Sequence, residues 1–157
     1  LAPLLDRFER AFRGERMKVV CHAPPRHAKT ESVLHVPAWA LMQDPTFTLS
    51  YSTYGDRLSR SKSRKARGIA ERSGVALEST ALNEWRTPQG GGLLAGGVGG
   101  PLTGHGVRMA IIDDPVKNRA EAERGQGSED DAWQLASCGR PSAGLKSKCG
   151  RMSAVAR

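Results

Sequence analysis

Lys29 and Thr30 close the run Pro24-Pro25-Arg26-His27-Ala28-Lys29-Thr30, and two acids close a second run, Met109-Ala110-Ile111-Ile112-Asp113-Asp114. An ammonium and a hydroxyl in the first, and adjacent carboxylates in the second, look like the two halves of a nucleoside-triphosphate site. The first run lies between an apolar stretch (Val19, Val20, Cys21) and a helix-like stretch from Thr30 to Met42. Strand, loop and helix in that order are the setting of a phosphate-binding loop, which aims backbone N–H groups and the positive end of a helix at the phosphates. The candidate nucleotide-binding residues are Pro25, Arg26, His27, Ala28, Lys29 and Thr30. Lys29 would neutralise the outer phosphates, and the Thr30 hydroxyl would hold Mg²⁺.

Met109 to Ile112 reads as a buried parallel strand, because such strands carry near-continuous apolar runs. It delivers Asp113 and Asp114 to the C-terminal edge, where open α/β sheets bind ligands. One carboxylate, Asp113, can anchor the metal's water shell, and Asp114 can orient or deprotonate the attacking water. An Asp-Asp-Pro triplet on its own reads as a turn or helix cap. Its place downstream of a phosphate loop and behind an apolar strand favours the catalytic reading.

The loop departs from the pattern G-x-x-x-x-G-K-[ST], with Ala23 and Ala28 where the glycines would stand. At 23 the loss is mild, since two prolines already fix the backbone. At 28 it matters more: glycine allows close approach of backbone and phosphate, and a residue with a Cβ pays roughly 1 kcal/mol or more at φ > 0. The expectation is a weakened nucleotide site.

These groups need a scaffold. Leu1 to Phe12 has a helical period ended by Gly14, and Lys18 to His22 begins the first strand. Val33, Leu34, Val36, Trp39, Ala40 and Leu41 form the inner face of the next helix, which Pro37 should kink or break. Asp44-Pro45 marks a turn, and Thr46 to Tyr51 alternates as a second strand. Ser52 to Arg72 reads as a helix bearing Arg57, Arg60, Arg64 and Lys65, which suit either DNA phosphates or a solvated face. Asn83 to Thr87 and Leu93 to Ala95, joined by a glycine-rich turn, predict a β-hairpin. Gly96 to Gly106 reads as a loop, with Thr103 to Gly106 as a phosphate-sensing element or plain turns. The whole is an α/β fold, one partial domain over 1–123. Residues 124–157 show no sustained period and are expected to be an irregular tail, flexible or frame-shifted.

The 157 residues carry a formal charge of +8, which favours an anionic partner such as nucleic acid. No run approaches the roughly 20 apolar residues of a membrane span. Cys21, Cys138 and Cys149 lack zinc-ligand spacing, and an odd count with no secretory signal fits a reducing cytoplasm. Leu at the first position, rather than Met, suggests a fragment.

On these residues the chain resembles, from about Leu5 to Glu123, the ATPase domain of the large terminase subunit, the motor that packages DNA into the heads of tailed bacteriophages. The resemblance rests on Ala23 to Glu31, Pro37-Ala38-Trp39-Ala40-Leu41 and Leu49-Ser50-Tyr51-Ser52. Leu93 to Gly100, Leu102-Thr103-Gly104, Ile111 to Asn118 and Glu121-Ala122 continue it. It implies a P-loop NTPase of the additional-strand, RecA-like class: a three-layer parallel sheet with a β-hairpin, here incomplete towards the C-terminus. It implies ATP and Mg²⁺ as cofactors, double-stranded DNA, a portal protein and a terminase small subunit as partners, and a homo-oligomeric ring. The setting is the cytoplasm of a bacterial host, with a phage or prophage gene. Asp114 would be the catalytic acid, Asp113 and Thr30 would serve the metal, and Arg26 or a neighbouring subunit's arginine would steady transition-state charge. The family's nuclease domain is expected to be absent. The alternatives are a helicase-like P-loop motor and an inactive remnant that only binds DNA.

Overall fold

The computed structural model describes residues 2–21, 26–98, 106–115 and 153–156. In chain order these form α1 (Ala2–Phe12), β1 (Val19–Cys21), α2 (Lys29–Gln43), β2 (Thr48–Thr53), α3 (Asp56–Arg72), β3 (Ser79–Thr80), β4 (Glu84–Arg86), β5 (Gly92–Gly97), β6 (Met109–Asp113) and β7 (Ser153–Ala156). The fold is α/β, with one mixed sheet in the order β1-β7-β6-β2-β5-β4-β3. The first five strands run parallel, and β4 and β3 extend the sheet antiparallel.

Each central strand follows from its composition. β6 is Met-Ala-Ile-Ile-Asp, and it lies between β2 and β7 with Met109, Ile111, Ile112 and Asp113 buried. β2 begins two residues later than the alternation predicts. Asp44 holds residues 44–47 in a turn, accepting hydrogen bonds from the Thr46 N–H (2.9 Å) and hydroxyl (2.6 Å), and the Phe47 N–H closes on the Asp44 carbonyl (2.9 Å). β2 then runs on through Ser52 and Thr53, which shortens the predicted helix to Asp56–Arg72. The expected hairpin is present as β4 and β5, but β5 extends to Gly97, so Gly96 and Gly97 are strand rather than loop. At the turn, a Cβ on Gly91 would stand 2.2 Å from the Pro45 carbonyl oxygen, so only glycine fits there.

α2 runs from Lys29 to Gln43 through Pro37 without the break that was one of the expected outcomes there. Val33, Leu34, Val36, Pro37, Ala38, Ala40 and Leu41 are all buried, and this apolar anchoring on both sides of the proline offsets the lost backbone bond. α3 meets the sheet through Ser59, Ser63, Ala66 and Ala70, a seam of small side chains that lets the helix approach closely. Leu58 and Ile69, the larger apolar side chains of this helix, are only half-buried. Ser59 Oγ donates to the Gly96 carbonyl (2.7 Å), and the Trp85 indole N–H donates to Ser63 Oγ (3.1 Å).

α2 and α3 pack against each other and both touch β5, so they occupy one face. α1 joins this layer through Phe12, whose ring lies 5.0 Å from Trp39 and stacks 4.9 Å from Phe47. Three layers were expected; the described helices form one layer on the sheet. Ser153–Ala156 is a strand pairing with both β1 and β6, in a tail expected to hold none. Among the described residues no helix is long and apolar enough to cross a membrane.

Candidate functional site

Both predicted runs end at the same edge of the sheet. β1 leads towards the loop and α2 starts at Lys29, while β6 ends at Asp113. Ala28 is the residue before α2, left-handed at φ 54°, ψ 18°, with no side chain capping the helix. Arg26 is also left-handed (φ 66°) and His27 is not, so the backbone alternates across the three residues. Alternation of this kind turns successive N–H groups towards one concavity, which suits an anion. The uncapped first turn of α2 adds its own N–H groups. The Ser32 N–H and hydroxyl both close on the Ala28 carbonyl, at 2.8 and 2.9 Å, and fix the turn.

Lys29 Nζ donates to Asp114 Oδ1 at 3.1 Å. The lysine side chain is 11% exposed and the aspartate 53%, so a largely sheltered ammonium faces a carboxylate open to solvent. Asp114 is itself left-handed at φ 48°, a conformation Asp tolerates better than most residues. Its carbonyl accepts from the Tyr54 N–H at 3.1 Å, which ties the end of β6 to the end of β2.

Asp113 is buried, 2% exposed. Its Oδ2 accepts from the Tyr51 hydroxyl at 2.8 Å, and its Oδ1 has no hydrogen-bond partner among the described residues. A buried carboxylate oxygen left unpaired costs about 1–3 kcal/mol or more, so it suits a further donor or a cation. Thr30, half-buried, is the second residue of α2. A hydroxyl and a carboxylate are hard oxygen donors of the kind Mg²⁺ takes, with water filling its remaining positions. No group of three or more His, Cys, Asp or Glu side chains that could hold a metal occurs among the described residues. Any metal here would therefore depend on water and phosphate oxygens for most of its shell.

The structure thus brings together Lys29, Asp114 and the end of β6 bearing Asp113, at the head of a helix that begins Lys29-Thr30. Arg26 and His27 are exposed in the loop, and Pro25 lies outside the described residues, as do Thr103, Gly104 and His105. Arg57, Arg60, Arg64 and Lys65 are all exposed on α3. Arg57, Arg60 and Arg64 fall at i, i+3 and i+7, one stripe off the buried serine–alanine seam. Arg60 approaches Asp56 at 3.9 Å, and Lys65 approaches Glu31 of α2 at 3.8 Å. Exposed pairs of this length hold little energy and leave both cations available.

Two residues of the site were missed in the sequence. Tyr51 was read as part of an alternating strand and of a run shared with the resembled family, without a role at the site, and Tyr54 as part of a helix. Burial, followed by the charge of Asp113, pushes the Tyr51 hydroxyl far above its ordinary range, so it remains a donor. A buried phenol needs a partner, and that was the available signal. Compared with models of known protein families, the chain matches none, and no curated protein matches it.

Proposed function

We propose that this chain carries the nucleotide-hydrolysing core of a P-loop ATPase. Within that class, its motifs favour the ATPase region of a phage large terminase subunit, driving double-stranded DNA into a procapsid. The observation that carries the reading is the meeting of Lys29 Nζ with Asp114 Oδ1 at 3.1 Å, at the strand end where open parallel sheets bind ligands. Bound ATP with Mg²⁺ would supply the reactive phosphorus and part of the charge neutralisation. Lys29 would leave Asp114 for the outer phosphates, and the freed carboxylate would orient and deprotonate water. Thr30 and Asp113 would hold the metal's shell, and Arg26, exposed in the loop, could face developing charge. Arg57, Arg60, Arg64 and Lys65 would track DNA phosphates without reading sequence. The portal, the small subunit and a homo-oligomeric ring belong to the same proposal.

The strained Ala28 favours one second reading, a domain that folds and binds DNA but hydrolyses nothing. ATP binding and hydrolysis, measured with and without DNA, separate the two. Lys29→Ala should abolish nucleotide binding, and Asp114→Asn should abolish hydrolysis while leaving binding in place. Hydrolysis that survives Lys29→Ala would place the chemistry elsewhere and defeat the proposal.

A further inference from the structure

Strand β2 reaches both acids. Its Tyr51 hydroxyl donates to Asp113 Oδ2 at 2.8 Å, and the N–H of Tyr54, just beyond its end, donates to the Asp114 carbonyl at 3.1 Å. Tyr51 is 1% exposed, and the neighbouring pairs Tyr51↔Ile111 and Ser52↔Ile112 hold β2 in register with β6. The ring is therefore fixed by packing and the hydroxyl by the Asp113 carboxylate. With Oδ2 taken, Asp113 keeps a single oxygen, Oδ1, buried and without a hydrogen-bond partner among the described residues.

We propose that Tyr51 is the positioning residue of the metal site: it locks the Asp113 carboxylate in the rotamer that presents Oδ1 to a divalent cation bound with nucleotide. The inference rests on the nucleotide-binding reading above. Groups that orient a metal-linked carboxylate through its second oxygen commonly shift metal affinity by about 10–100-fold when removed. A phenol suits the task because it has one proton to donate, and the Asp113 carboxylate takes it at 2.8 Å. Serine or threonine at 51 would be too short to span from β2 to Asp113.

The test is Tyr51→Phe, which removes the hydroxyl and keeps the ring. Mn²⁺ binding would be followed by electron paramagnetic resonance in the presence of ADP, and ADP affinity would be titrated with and without Mg²⁺. The expected result is Mn²⁺ affinity weakened by about 10-fold, with metal-free ADP affinity unchanged. Equal loss of ADP affinity with and without metal would mark a purely structural role and overturn the inference. So would a variant whose Mn²⁺ affinity matches the parent's. If the parent chain binds neither ADP nor its metal complex, the nucleotide reading falls and this inference with it; the first two outcomes leave that reading standing. Should Tyr51→Phe fail to fold, the parent chain decides: Mn²⁺ with ADP should broaden the Tyr51 ring signals in NMR where Mg²⁺ does not, and unbroadened signals would overturn the assignment.

Discussion

Ala28→Gly tests the loop geometry most directly. At φ 54°, ψ 18° the alanine Cβ sits in the left-handed region, which costs an L-residue about 1–2 kcal/mol. Glycine relieves that strain but gives the unfolded chain more freedom, worth about 0.4–1 kcal/mol against folding. The balance is a gain of roughly 0.5–1 kcal/mol, or about 1–4 °C in Tm for a chain of this length. Guanidinium unfolding followed by tryptophan fluorescence would read it, since Trp85 is fully buried and Trp39 packs on Phe12. The midpoint should rise with the slope unchanged. Ala28→Val, β-branched in the same conformation, should move it the other way. Were residue 28 an ordinary right-handed helical position, glycine would instead lower stability by about 0.5–1 kcal/mol. A fall of that size would refute the left-handed turn. ATP affinity should rise in the same variant, because a backbone without Cβ admits the phosphates more closely.

Ser63→Ala should cost about 1–3 kcal/mol in denaturant unfolding, because it leaves the indole N–H of fully buried Trp85 without its acceptor. Stability should decline above about pH 10 and decline less in Tyr51→Phe. The folded phenol is held protonated by burial and by Asp113, whereas the unfolded one ionises freely, so its contribution is full below pH 10 and erodes as pH rises, by up to about 1.4 kcal/mol per unit. Binding to double-stranded DNA should weaken with salt, and replacing Arg57, Arg60, Arg64 and Lys65 with alanine should flatten the log–log slope by roughly three to four. A slope that stays unchanged would make the stripe a solvated face only.

Much of the scaffold was legible because the relevant signals are local. The apolar run ending in Asp113 announced β6, the strand–loop–helix order placed Lys29, and the missing glycine at 28 announced a left-handed strain that the backbone carries. What stayed hidden depends on distant partners. Nothing near Tyr51 in sequence marks Asp113 as its acceptor, 62 residues away. Ser63 in a basic helix gives no hint of the indole it satisfies. Ser153–Ala156 is short and made of small residues, and only its neighbours on both sides, β1 and β6, make it a strand. The absence of a break at Pro37 has the same origin: its helix is held by packing rather than by propensity.

The position of β7 has a consequence for biogenesis. Among the described residues β1 joins the sheet through β7 alone, with Val19 beside Ala154, while β2, β5 and β6 can zip together without it. A nascent chain emerging from the ribosome can therefore lay down the acid-bearing half early. The strand that leads into the phosphate loop must wait, undocked, until residue 156 has been made, and then close a long-range parallel pairing of the kind that forms slowly. Completion of the pocket therefore waits on β7, and until that strand docks the facing edges of β1 and β6 stay unpaired.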